Sequence, residues 1–132
     1  MRSFVLLLIG LAVGSLCTLI GINAMHRNTA WSNAAMAMMG QQMKAMDKSV
    51  KASRCAATDL SPRLQTLRLV ANDIEPAFAD EIDDPQFGRY AADLRSAADA
   101  ALLNPPATCA AANAAISHLG KACDSCHRDF RS

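Results

Sequence analysis

The stretch CAAANAAISHLGKACDSCHRDF, residues 109–130, is the clearest indicator of the fold class. Its apolar side chains recur at alternating intervals of three and four residues, at Cys109, Ala112, Ile116, Leu119, Cys123, Cys126 and Phe130. Because an α-helix turns once about every 3.6 residues, this spacing puts all of them on one helix face. Asn104, Pro105 and Pro106 interrupt the chain just before the stretch. We therefore predict an amphipathic helix here that packs against other helices.

Three earlier stretches have the same periodicity. The first runs from about Thr29 to Arg54, with apolar positions at Met36, Met39, Met43, Met46 and Val50. The second begins at Ser61-Pro62 and the third at Asp84-Pro85, where a capping residue precedes a proline, as is common at helix starts. Their apolar positions are Leu60, Leu64, Leu67, Ala71, Ile74 and Phe78, followed by Phe87, Ala91, Leu94, Ala98 and Ala101. Pro76 is predicted to kink or shorten the last turn of the second helix.

The four predicted helices indicate an all-α protein. No stretch alternates apolar and polar residues as a half-buried strand would. Helices of about 17–25 residues with short connections favour an antiparallel up-down-up-down four-helix bundle. The chain has 132 residues, enough for one small domain. With 13 basic and 12 acidic residues its net charge is only +1, so we expect no nucleic-acid partner.

An N-terminal hydrophobic helix is predicted to precede the bundle. Residues 4–22 carry no charge, and a helix of that length spans roughly 28 Å, close to the apolar core of a bilayer. We predict that residues 1–27 form an uncleaved anchor to the inner membrane, with a signal segment cleaved after Ala24 as the alternative. In both cases residues 28–132 form an exported, periplasmic domain, in a compartment that permits disulfides.

The sequence Cys123-Asp-Ser-Cys126-His127 matches the haem attachment pattern C-x-x-C-H. Residues three apart share a helix face, so both thiols can reach the two vinyl groups of one porphyrin, with the adjacent histidine turned towards the iron. A zinc site would need about four ligands, and no second pair stands at zinc spacing. A thioredoxin-like dithiol expects a preceding strand, and a mid-helix disulfide would be strained. We predict one covalently attached haem c per chain, with His127 as the axial iron ligand.

The motif and its surroundings resemble a known family. Residues 120–131, GKACDSCHRDFR, resemble the C-terminal haem helix of the class II cytochromes c, the cytochrome c′ family. Residues 36–46, MAMMGQQMKAM, are similar to the family's first helix, and the resemblance covers roughly residues 29–131. It implies that Arg131 lies on the proximal side of the haem and that Met36 occupies the distal position. The sequence departs from the family at Ser32, where an arginine often lies near the haem propionates.

Bundle geometry gives a separate argument for the distal side. In an up-down-up-down bundle, the first and fourth helices are antiparallel neighbours, so Cys55 and Cys109 lie at about the same level. His127 follows Cys109 by 18 residues, and counting 18 residues back from Cys55 gives position 37. Met36 and Met39 bracket that position and are predicted to contact the haem. The same argument predicts a disulfide between Cys55 and Cys109, for which the first helix must end or unwind before Cys55.

These predictions converge on an exported haem protein that transfers electrons to redox partner proteins, some of them membrane-bound. The alternative is a five-coordinate haem protein that binds or buffers nitric oxide or carbon monoxide. Whether the sulfur of Met36 binds the iron separates the two and stays open at this stage. The helices contain no nucleophile–base pair, so we do not expect an enzyme. The family resemblance is also compatible with a homodimer.

Overall fold

The computed structural model describes residues 2–79 and 82–131. Within these ranges the chain forms α-helices and no strand, which confirms the predicted all-α class. The helices are α1 (Arg2–Lys51), α2 (Ala57–Val70), α3 (Ile74–Phe78), α4 (Pro85–Leu103) and α5 (Cys109–Phe130).

The four longer helices pack in a cycle in which α1 contacts α2, α2 contacts α4, α4 contacts α5, and α5 contacts α1. A ring contact gives the relative direction of α4 and α5. The ring of Phe87, early in α4, lies 5.3 Å from the ring of Phe130 at the end of α5. Arg68, near the end of α2, donates a hydrogen bond to Asp99, near the end of α4, whereas Phe78 of the following α3 packs on Phe87, near the start of α4. The α2–α3 segment therefore runs antiparallel to α4, and α4 runs antiparallel to α5.

The core follows the predicted stripes closely. Five residues from three of the helices and from the turn after α2 have no exposed surface: Leu67, Ala71, Ala98, Ala112 and Leu119. Met39 and Met46 of α1 are also buried among them. Because alanine and methionine supply much of this core, the helices approach closely and irregular gaps are filled by flexible thioether side chains.

The second predicted helix is divided into α2 and α3. The break at Ala71–Asp73 lies just before Pro76, which has no N–H to donate and whose ring would clash with the carbonyl four residues earlier. Its start also differs from the prediction, because α2 begins at Ala57 and Pro62 lies inside it. Burial of Leu60 against the core accounts for the earlier start, since tertiary packing supplies most of a helix's stability.

The ends of α4, α5 and α1 follow from local side-chain chemistry. Asp84 caps α4 by accepting a hydrogen bond from the Gln86 amide at 2.8 Å, and Thr108 caps α5 in the same way. At the other end of the chain, α1 stops at Lys51, and Ser53 takes a left-handed backbone conformation with φ 57°. The helix thus ends before Cys55, as the predicted disulfide requires.

The predicted membrane tether is contradicted by the structure. Crossing a bilayer takes about 20 consecutive, predominantly apolar residues. Within the described ranges, no helix is both long enough and apolar enough to do so. The prediction of a protein tethered to the inner membrane through residues 4–22 is therefore wrong. The predicted boundary between residues 1–27 and 28–132 falls within α1, which runs from Arg2 to Lys51, and it stays a prediction. The outer limits of those two segments, Met1 and Ser132, lie outside the described residues.

Candidate functional site

A disulfide joins the end of α1 to the start of α5. The sulfur atoms of Cys55 and Cys109 lie 1.97 Å apart, and their Cα atoms are separated by 5.0 Å. The two positions therefore lie at one level of the structure. With this level fixed, the beginning of the packed part of α1 lies opposite the end of α5.

At that opposite end, α1 and α5 enclose a cavity of about 270 Å³. From α5 it is lined by the motif residues Cys123, Cys126 and His127. From α1 it is lined by Met36, Met39, Gly40 and Met43, and the remaining lining residues are Ile74, Tyr90, Ala91, Leu94, Gly120, Ala122 and Asp124. The two sequence stretches that carry the family resemblance thus meet across one mostly apolar space.

The structure brings together five of the six residues predicted to contact the cofactor, because Met36, Met39 and the three motif residues share this cavity. Arg131 lies outside it. It lines an adjoining cleft of about 940 Å³, which also includes Met36, Gly40, Cys126 and His127. We refer to these two spaces below as the cavity and the cleft.

Gly40, Met43 and Tyr90 also line the cavity, although none of them was predicted as a site residue. Gly40 follows Met36 by one helical turn, so the spacing of the first helix could have indicated it. Met43 belongs to the stripe interpreted as core packing, and it is half-buried at the cavity wall. Tyr90 carries no local signal, because α4 reaches the cavity only through tertiary packing.

The two motif thiols are free and half-buried. Burial raises the pKa of the Cys123 thiol above its ordinary value, and the charges of Asp124 and Cys126 raise it further. Burial likewise raises the pKa of Cys126, with a smaller contribution from Asp129. Both thiols therefore hold their protons more firmly than an exposed cysteine does. Among the described residues, no three His, Cys, Asp or Glu side chains form a metal-binding group.

Aromatic side chains lie beside the motif at the end of α5. The rings of Phe78, Phe87 and Phe130 form a chain, with Phe87 5.4 Å from Phe78, and the ring of Tyr90 lies 6.2 Å from Phe130. The Tyr90 hydroxyl donates a hydrogen bond to Asp129. This hydrogen bond raises the pKa of Tyr90, and desolvation and the charge of the Asp129 carboxylate raise it further. These contacts hold the last turns of α5 against α4 and so position the motif.

These residues fit a c-type haem. Two thiols three residues apart and an adjacent imidazole line the cavity from α5, and thioether side chains line it from α1. The cavity also has open space beside the α1 backbone, since a Cβ atom built on Gly40 would meet nothing within 4 Å. Comparisons with protein-family models, curated proteins and solved structures found no match for this chain.

Filling the space beside Gly40 tests whether the cavity holds the haem. We expect Gly40→Phe to lower the haem content of the purified protein severalfold, because the ring would occupy the cavity. Gly40→Ala is the matched control. It adds one methyl group, keeps haem attachment and stabilises the helix by about 1 kcal/mol. Haem absorbance per mole of protein gives the content. Full haem content in Gly40→Phe would show that the haem does not use this space.

Proposed function

We propose that this chain is an exported c-type cytochrome of the class II kind, an antiparallel up-down-up-down four-helix bundle that transfers electrons through one covalently attached haem. One observation carries the proposal: Cys123, Cys126 and His127 of α5 line the same cavity as Met36 and Met39 of α1. The antiparallel packing of α1, α2, α4 and α5 supports the bundle. The Cys55–Cys109 disulfide favours an oxidising compartment outside the cytoplasm.

The two thiols attach the cofactor by addition to its vinyl groups. Each S–H bond breaks as one S–C bond forms, and the thiol hydrogen goes to the other vinyl carbon, so nothing leaves. Because Cys123 and Cys126 are both free and line the same cavity, one porphyrin can receive both bonds. The two linkages then hold the porphyrin rigidly beside His127.

His127 would hold the haem iron through its imidazole. Its side chain lines both the cavity and the cleft, and no hydrogen bond to it is found among the described residues. When bound, the haem iron supplies the one-electron ferric–ferrous couple. Met36 is half-buried at the cavity wall, where its thioether would either bind the iron or pack against the haem. A thioether ligand raises the reduction potential, which suits an electron carrier. We propose that redox proteins are the partners and that no organic substrate is turned over.

A second function is favoured by the open space beside Gly40. If Met36 packs without binding iron, that space can admit a diatomic gas, and the protein would bind or buffer nitric oxide or carbon monoxide. The two functions differ at a single bond, the one between the Met36 sulfur and the iron.

An optical spectrum of the purified full-length protein, reduced with and without carbon monoxide, tests the proposal. An electron carrier with Met36 as a ligand is expected to give a low-spin spectrum that carbon monoxide leaves unchanged. Met36→Leu should then become high-spin and bind carbon monoxide, whereas Met38→Leu, at an exposed position on the same helix, should not. A wild-type protein that is high-spin and binds carbon monoxide would support the gas-binding function and contradict the Met36 ligand.

A further inference from the structure

The cleft beside the cavity differs from it in charge. Among the described residues that line the cleft, the only charged side chains are Lys44 of α1 and Arg131, which follows α5. The cavity wall is mostly apolar, and its only charged residue is Asp124. The two spaces share Met36, Gly40, Cys126 and His127, so a ligand that fills the cavity beside the motif also borders the cleft.

Neither cation of the cleft forms an ion pair with another of the described residues. The ion pairs of the described residues involve Lys51, Arg68, Arg95 and Arg128, each with a carboxylate of its own. Lys44 and Arg131 take part in none of them. Both are exposed at the cleft, so their charged groups can bind an anion without first breaking an ion pair to any residue that the structure describes.

Three of the six described α1 residues that line the cleft are polar: Asn33, Gln41 and Lys44. Asn33, Ala37, Gln41 and Lys44 follow one another at intervals of four, four and three residues and line the cleft together. The methionine stripe lies beside them on the same helix and faces the cavity. One helix therefore presents apolar thioethers to the cavity and, next to them, amide and ammonium donors to the cleft.

This division matches the two parts of a haem. The macrocycle is apolar, whereas one edge carries two propionate carboxylates that need hydrogen-bond donors and positive charge when partly buried. Ser32, which replaces the arginine expected from the family resemblance, is buried and uncharged and supplies no cation. Among the described residues, the cations that line the cleft are Lys44 and Arg131.

We propose that Lys44 and Arg131 bind the haem propionates in the cleft, an inference that rests on the proposed haem attachment. The Lys44 ammonium donates from α1 and the Arg131 guanidinium donates from the end of α5. The haem edge thereby bridges α1 and α5, which are far apart in sequence, whereas both thioether bonds lie on α5.

Positive charge at the propionates also affects the iron. A cation near the haem disfavours the more positive ferric state, so it raises the reduction potential, and it lowers the propionate pKa. The other titratable groups facing the two spaces are His127, Cys123 and Cys126 of the motif, together with Asp124 and Tyr90. Of these, His127 and the two cysteines are committed to iron and thioether bonds in the holoprotein. Asp124 and Tyr90 lie on the cavity side.

Redox titration of the full-length holoprotein between about pH 5 and pH 9 tests the proposal. We expect Lys44→Gln and Arg131→Gln each to lower the midpoint potential. Each should also raise the propionate pKa by about 1 or more. Because the potential falls once the propionate loses its proton, the fall should then begin at a higher pH. Lys48→Gln is the matched control, because Lys48 is one turn further along α1, equally exposed and outside the cleft. Covalent haem content is measured for every variant.

The outcomes separate this inference from the proposed function. If all variants hold covalent haem but Lys44→Gln and Arg131→Gln titrate like Lys48→Gln, the propionate contacts are wrong and the haem protein stands. If only one of the two substitutions shifts the titration, the proposal fails for the other residue. If the wild-type protein holds no covalent haem, both the proposed function and this inference are overturned.

Discussion

Replacing both motif cysteines, Cys123→Ser together with Cys126→Ser, is expected to abolish covalent haem attachment completely. A serine hydroxyl does not add to a vinyl group as a thiol does, so neither thioether bond can form. Haem held only by His127 can still colour the protein. The measurement is therefore extraction with acidic acetone, which removes non-covalent haem and leaves covalent haem on the chain.

Two controls accompany this prediction. Cys17→Ser changes an exposed thiol outside the cavity and should leave the covalent haem unchanged. The single substitution Cys123→Ser should retain one thioether bond and give a reduced-haem spectrum shifted by the unreacted vinyl group. Far-ultraviolet circular dichroism of the double variant checks that the helices persist. Covalent haem that survives the double substitution would disprove attachment through the motif.

Removal of the Cys55–Cys109 disulfide is expected to lower the free energy of unfolding by about 4 kcal/mol. The two cysteines are separated by 54 positions, and the cross-link reduces the entropy of the unfolded chain in proportion to the logarithm of that loop length. The variant is Cys55→Ser with Cys109→Ser, measured by urea denaturation at matched haem content. Haem attachment should persist, because the disulfide lies at the opposite end of the structure from the cavity.

Cys17→Ser is again the control, and as an exposed substitution it should change the free energy of unfolding by less than about 0.5 kcal/mol. A loss below about 1 kcal/mol in the double variant would contradict the prediction. It would mean that the unfolded chain is already restricted, or that the disulfide does not form in solution. Free-thiol titration of the unfolded wild-type protein distinguishes these two explanations.

Several features of the fold could be predicted because their causes are local. Asp84 followed by Pro85 marks a helix start, since the carboxylate caps an amide and the proline needs no hydrogen bond there. Cys55 lies off the apolar stripe of the first helix, which indicates that α1 ends before it. The start of α2 was predicted too late, because the burial of Leu60 outweighs the local signal from Ser61 and Pro62.

The candidate site was predictable where a residue's spacing places it on a known helix face. Met36, Met39 and the motif residues were found in this way. Tyr90 and the cleft were not, because each requires knowing how far apart two helices lie. The membrane tether was predicted from the length of an uncharged stretch alone, and no helix among the described residues meets the requirement for a span.

The sequence by itself determined that the chain is helical and that Cys123, Cys126 and His127 form one local group. The periodicity of an α-helix acts over a few residues, so neighbours in sequence decide these features. Only the tertiary structure decided what faces that group. Met36, Tyr90, Lys44 and Arg131 surround it because α1 and α4 each pack antiparallel against α5, and the Cys55–Cys109 bond sets the level of α1 against α5.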